Sequence, residues 1–236
     1  MARKGKLRKL KTKDEDIRPF RPRRYDMFML IVCEDQNTEP YYFRQFKKLF
    51  PENTVYLKEI GTGKKPKGII EQTINERENL SIEVNKKIDE VWVVFDKDDE
   101  GNNATTLASF NSAWELAEKE NINIAFSNEV FELWLLLHFI EVSSANPIPR
   151  AEIYSSLETA IRAFESPKQF IYQHGKTEIV DELIKIGNEG KAIERAKKLL
   201  AEQKGKQPIN ANPSTTVHIL VRRLRELIEW YTNSQD

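Results

Sequence analysis

The chain has 236 residues, 39% of them hydrophobic, which is enough for one sizeable domain or for a core with an appended subdomain. Its 37 Lys and Arg balance 37 Asp and Glu, excluding a bulk electrostatic pull toward nucleic acid, and its one cysteine, Cys33, excludes an internal disulfide or a cysteine-rich zinc site. The longest apolar run, Leu133 to Ile140, is too short to cross a bilayer, and the basic start lacks the apolar stretch of a secretory leader, so a soluble cytoplasmic protein with no membrane partner is expected.

Residues 1–24 carry eleven Lys and Arg against three Asp and Glu. Such a segment reads as a flexible basic arm that binds nucleic acid or a partner by charge. The run Met27 to Cys33 then predicts a fully buried strand, and Glu34-Asp35-Gln36-Asn37 a polar turn. A helix is predicted from about Glu39 to Phe50, with Thr38 as N-cap, Pro40 in its first turn and Tyr42, Phe43, Phe46, Leu49 and Phe50 at helical spacing. A weaker strand over 54–60 leads into the loop Gly61 to Gly68 and a helix through about Leu80.

Strand 89–95, a polar loop from Asp96 to Asn103, a helix over 104–119 and strand 122–126 follow, and Ser127-Asn128 is a capping pair for the apolar helix 130–140. Continuous apolar strands separated by helices predict a small, mostly parallel α/β sheet sandwiched by helices, with its functional crevice at the carboxyl ends of the strands. Beyond Ala145 strand signals stop, and helices are predicted at about 150–164, 176–186, 189–203 and 213–232. The expected organisation is therefore an arm over 1–24, an α/β core over 25–145 and a helical appendage over 146–236 packed on that core.

Acidic residues stand where the strands run out: Glu34 after the first, Asp96 and Asp98 after the third, Glu132 beyond the fourth. Carboxylates gathered at strand ends suppress one another's ionisation unless a cation or protons neutralise them, which points to a hard divalent metal. In extended backbone Asp96 and Asp98 project to the same side about 6.6 Å apart, a spacing that suits one magnesium or two. Two ions about 3.5–4 Å apart can activate a water and neutralise the leaving oxygen in phosphodiester cleavage. Solvated turn aspartates give the same short pattern, so the pair alone does not decide. Glu39 either joins the ligands or, the reading favoured here, serves the positive end of its helix dipole.

These residues carry a family resemblance. Glu34 to Phe43 resembles the "EGxTEPxYF" segment of the RloB/AbiLii family, Phe95-Asp96-Lys97-Asp98 its "FDxD" segment, Ser127 to Phe139 its "SNPxFExWLLLHF" segment, and Asn212 to Val217 its "NPST" helix start. The matches run in order from about 27 to 220, with Asp35 in place of the usual glycine and Glu129 in place of the usual proline. The family is similar to Toprim-type nucleases, including the overcoming-lysogenization-defect group. The resemblance implies a Toprim-like fold, an Mg2+- or Mn2+-dependent nuclease of antiphage or abortive-infection loci, and an AAA/ABC-type ATPase encoded nearby. Asp35 would strain its turn if a positive φ were required there.

Glu132, amid Phe131, Leu133 and Trp134, needs a partner; it could serve the metal directly, support a ligand, or pair with an Arg or Lys. His138, roughly 240° further round the helix, reads as a satisfied core histidine. Lys176 could stabilise charge on a scissile phosphate, as a lysine does in related two-metal sites, or be a solvated first-turn lysine. Lys64, Lys65 and Lys67 could track a phosphate backbone or simply keep a loop soluble. The expected site is thus Glu34, Asp96, Asp98 and Glu132 on the metal with Lys176 beside it, acting on DNA or RNA. The competing expectation is a non-catalytic nucleic-acid- or ATPase-binding module. No P-loop spacing is present, and a small sheet with open edges could form a homo-oligomer.

Overall fold

The computed structural model describes residues 25–97, 104–164 and 169–234; the predicted arm over 1–24 and the predicted ligand Asp98 lie outside them. Strand β1 (Met27–Cys33) is buried along its whole length, and its alternating side chains divide the core in two. Phe28, Leu30 and Val32 join α2 (Pro66–Val84) and α3 (Ala104–Lys119) on one face, through Ile69, Ile70, Leu80, Phe110 and Ala113. Met29, Ile31 and Cys33 face the other layer, where α1 (Thr38–Arg44), α4 (Glu132–Leu137), α5 (Arg150–Arg162), α6 (Glu178–Ile186), α7 (Glu189–Glu202) and α8 (Val217–Asn233) pack. A strand with helices on both sides must be apolar on both sides, which is why β1 reads as a continuous hydrophobic run.

The sheet order is β2-β1-β3-β4-β5, with β2 (Val55–Gly61), β3 (Glu90–Asp96) and β4 (Asn123–Asn128) parallel to β1 and the short β5 (Ser214–Thr215) antiparallel to β4. Among the described residues this is a Toprim-like α/β arrangement of five strands and eight α-helices. No described helix is long and apolar enough to cross a membrane.

Four local expectations are corrected. Helix α1 is shorter than predicted and passes into a 3-10 turn over Gln45–Leu49. Its start is held by Asp35, whose carboxylate accepts the Thr38 N–H, and not by a Thr38 side-chain cap. Ser127 and Asn128 do not cap α4; they end β4 and meet β5, with the Ser127 and Thr215 hydroxyls 3.0 Å apart and the Asn128 amide donating to Pro208 and Ile209 carbonyls. Strand structure therefore continues past residue 145, because a two-residue strand is too short to show a period.

The two departures from the family pattern each have a structural place. Asp35 is not among the described residues with positive φ, so its turn does not demand glycine. Glu129 is buried and accepts the Arg150 N–H at 2.9 Å and the Asn212 side-chain amide at 3.2 Å, tying β4 to α5 and to the segment before β5.

His138 is 6% exposed, as a core position requires, but its Nε2 has no hydrogen-bond partner among the described residues. Burial, reinforced by Arg195, pulls its pKa from 6.5 to about 3. The folded state then binds fewer protons than the unfolded state below pH 6.5, so this contribution is complete above 6.5 and is lost as pH falls toward 3. At pH 4 the loss is about 3 kcal/mol. His138→Leu is expected to flatten the fall in urea midpoint between pH 7 and 4 relative to the unmodified chain; parallel curves would contradict this account.

Candidate metal centre at the strand ends

The parallel register builds the site. Cys33 lies opposite Val94, so the next residue, Glu34, leaves the sheet beside the end of β3; its N–H donates to the Val94 carbonyl at 2.9 Å. The Glu34 carboxylate in turn accepts the Asp96 N–H at 3.0 Å. Residues 62 positions apart are thereby brought within one hydrogen bond of each other, as predicted for the ends of adjacent parallel strands. Asp96 extends the chain of contacts by accepting the Phe131 N–H at 2.9 Å, just before Glu132 opens α4.

Glu39 joins this group from α1. It is 2% exposed and accepts the Asp35 N–H at 3.2 Å. Burial first, then the charges of Asp96, Glu34 and Asp35, hold its carboxyl well above the usual carboxylate range. Burial first, then the charges of Glu39, Asp35 and Glu59, raise the Cys33 thiol. A solvated charge placed only to suit the helix dipole would not be buried against three other acids, so Glu39 belongs with the acidic group.

Glu132 is also buried, and its partners among the described residues are neither Arg nor Lys. The Tyr172 hydroxyl donates to its Oε1, and His174 Nδ1 lies 3.6 Å from the same oxygen. The hydrogen bond with Glu132 is the largest influence raising the His174 pKa, and burial followed by Glu132 raises that of Tyr172. Asp35 adds to both shifts, so the loop 170–175 lies close to the Glu34 turn. A Cβ on Gly175 would stand 3.9 Å from the Asn37 amide, and its φ of +74° suits glycine. Neither Tyr172 nor His174 was predicted as a site residue. The segment Tyr172-Gln173-His174-Gly175-Lys176 attracts notice in the sequence only for Lys176, because nothing local indicates which of its side chains turns inward.

Lys176 itself is exposed and lines a separate shallow depression with Phe170, Ile171, Gln173, Glu178 and Ile179. The structure thus brings Glu34, Glu39 and Asp96 together, places Glu132 next to them through the Phe131 contact, and leaves Lys176 on neighbouring surface.

The opposite wall of the turn is made by the end of β2. The Thr62 N–H donates to Cys33 at 3.0 Å and the Gly63 N–H to the Glu34 carbonyl at 2.7 Å. At Gly61 an added Cβ would fall 2.5 Å from both the Asp35 carbonyl oxygen and the Gln36 Cα. Only a residue without a side chain allows that approach. Lys64, Lys65 and Lys67 follow at once, all exposed.

The donor chemistry fits a hard divalent cation: carboxylate oxygens only, with one of them too buried to ionise freely without a compensating charge. As they stand, no three Asp, Glu, His or Cys side chains among the described residues are close enough to grip an ion, and Asp98 lies outside those residues.

Comparison with known proteins gives one family. The family model described as RloB-like protein matches residues 29–224, which contain the described acids and Tyr172 and His174. No curated protein and no solved structure matches the chain. The match covers most of the sequence and includes β5 and the first half of α8, and on it the chain belongs to the RloB-like protein family.

Proposed function

We propose that this protein is an Mg2+- or Mn2+-dependent nuclease that hydrolyses phosphodiester bonds, acting in antiphage defence with an AAA/ABC-type ATPase as partner. The observation that carries the reading is the contact between the Glu34 carboxylate and the Asp96 backbone, with buried Glu39 under repulsion from both acids. Acids converging at strand ends destabilise the fold unless some ligand exploits them. Glu34, Asp96, Asp98 and Glu132 would hold the ion, with Glu39 beside them. When bound, divalent cations supply an activated attacking water and offset charge on the leaving oxygen. The protein's part is positional: β1 and β3 fix Glu34 and Asp96 through backbone hydrogen bonds, and Tyr172 orients Glu132.

Cleavage of single- and double-stranded DNA and RNA by the purified chain is the direct test, run with magnesium, with manganese and with EDTA, and repeated with the neighbouring ATPase where the locus encodes one. Activity confined to the metal-containing reactions is expected; equal cleavage in EDTA refutes the proposal. Metal should also stabilise the fold. At a concentration one hundred times the dissociation constant the gain is about 2.7 kcal/mol, or roughly 5–10 °C in melting temperature for a chain of this size. Glu34→Gln should remove most of that shift.

The alternative is a non-catalytic nucleic-acid- or ATPase-binding module. It is favoured by the fact that Glu34 and Asp96 already accept backbone N–H groups and so have a packing role of their own. Salt-sensitive binding that survives both EDTA and loss of the acids, without cleavage under any condition, would select it.

A further inference from the structure

The acidic turn lies between two exposed surfaces of opposite chemistry. On one side the rings of Tyr154, from α5, and Tyr172 are stacked, with centroids 4.8 Å apart and planes 26° apart. His174 leans on Tyr154 at 5.8 Å and 37°, and both tyrosine hydroxyls come within 3.4 Å of its Nδ1. The three rings are thus locked together by their polar edges, while the His174 side chain remains 68% exposed. On the other side, Gly63 packs against the Gln36 side chain and leads into exposed Lys64, Lys65 and Lys67.

Rings in the core of a protein satisfy packing, but this three-ring stack stands at the rim of an acidic site and its outermost member, His174, presents most of its surface to solvent. Its chemistry is that of a surface for another flat ring. Every nucleobase has such a face, and it is available only where the strand is unpaired, because in a duplex neighbouring base pairs cover it. Phosphates of the same strand need cations, which the lysine loop supplies across the turn.

From this juxtaposition we infer that the site takes an unpaired nucleic-acid strand, with one base stacked on His174 over the Tyr154–Tyr172 pair and the adjoining phosphates running past the Glu34 turn to Lys64, Lys65 and Lys67. The inference rests on the nuclease reading for the position of the acids, and it names the substrate: single strands, loops or ends in preference to continuous duplex. The stack makes the base the recognised group, and the sugar is secondary.

Binding measured without cleavage separates this inference from the nuclease reading. Fluorescence anisotropy of the full chain in EDTA would use labelled 20-nucleotide single-stranded DNA, single-stranded RNA, the matching DNA duplex, and a single strand whose central nucleotides are abasic. At least one natural single strand should bind about tenfold or more tighter than duplex, and whichever single strand binds better identifies the natural source. His174→Ala should weaken that binding about tenfold, the ordinary effect of removing one stacking ring. His174→Phe should retain it, which a merely structural role for the imidazole would not allow. The abasic strand should bind the unmodified chain and His174→Ala alike. Replacing Lys64, Lys65 and Lys67 together by alanine should weaken all strands and lower the salt dependence.

Equal affinity for duplex and single strand, or His174→Ala binding as well as the unmodified chain, overturns the inference even if metal-dependent cleavage is found. Ring-dependent binding of single strands by a chain that never cleaves leaves the inference standing and refutes the nuclease reading.

Discussion

Asp96→Asn is expected to reduce metal-dependent cleavage on the order of 10³-fold while leaving the fold unchanged. The substitution removes one negative charge from the acidic group without altering its framework. The new side chain keeps a carbonyl oxygen that can accept the Phe131 N–H, and the residue 96 backbone still donates to Glu34. Circular dichroism should therefore match the unmodified chain, the metal-free melting temperature should be equal or higher because a charge repelling buried Glu39 is gone, and the loss should appear in kcat. Glu34→Gln should behave the same way, since its amide oxygen can still accept the Asp96 N–H. Undiminished cleavage by a folded Asp96→Asn protein would remove the acidic centre from the mechanism.

Gly61→Ala should damage both stability and activity. The added Cβ would lie 2.5 Å from the Asp35 carbonyl oxygen and the Gln36 Cα, and 2.9 Å from the Gln36 carbonyl carbon. All three are backbone atoms, so no flexible side chain can yield. Either β2 or the turn carrying Glu34 must move, at a cost of about 1–3 kcal/mol, equivalent to roughly 2–12 °C in melting temperature. Because Gly63 donates to the Glu34 carbonyl, that movement reaches the acidic group directly. Gly190→Ala is the matched control: the Cβ there would meet only Asn188 Oδ1, at 3.6 Å, within α7. It should be neutral or stabilising by up to about 1 kcal/mol, because alanine is the better helix residue. Equal melting temperatures for both variants would show that the close approach at Gly61 is not tight.

Much of this site was legible before any coordinates. The run Met27 to Cys33 spans β1 residue for residue, and the predicted helix over 104–119 is α3. A continuous apolar strand implies coverage on both faces, parallel order follows from alternation with helices, and adjacent parallel strands end at a common edge. That is sufficient to expect Glu34 beside Asp96. The role of Glu39 was less legible, since a first-turn acid looks the same whether it faces solvent or other carboxylates. Its burial depends on how α1 lies against β1 and β2, which residue spacing does not specify.

Partners from distant segments were not legible at all. Tyr172 reaches Glu132 across 40 positions, and Thr215 reaches Ser127 across 88. Each depends on where the C-terminal helices settle on the shared apolar layer, a many-body packing problem with no local period. Gly61 is the clearest case: in the sequence it is one loop glycine among several, and its need for a bare Cα arises only because another backbone passes 2.5 Å from where a Cβ would be.

Hydrophobic periodicity along the chain was enough by itself to determine the order of β1 to β4 with their intervening helices and which acids follow β1 and β3, because those properties follow from each residue and its near neighbours. Tertiary structure alone decided that Glu39 is buried in the acidic group, that Tyr172 and His174 hold Glu132, and that a lysine loop and a ring stack flank the turn. Those relations come from the docking of β2, α1 and the C-terminal helices, where close packing brings residues into contact irrespective of their separation along the chain.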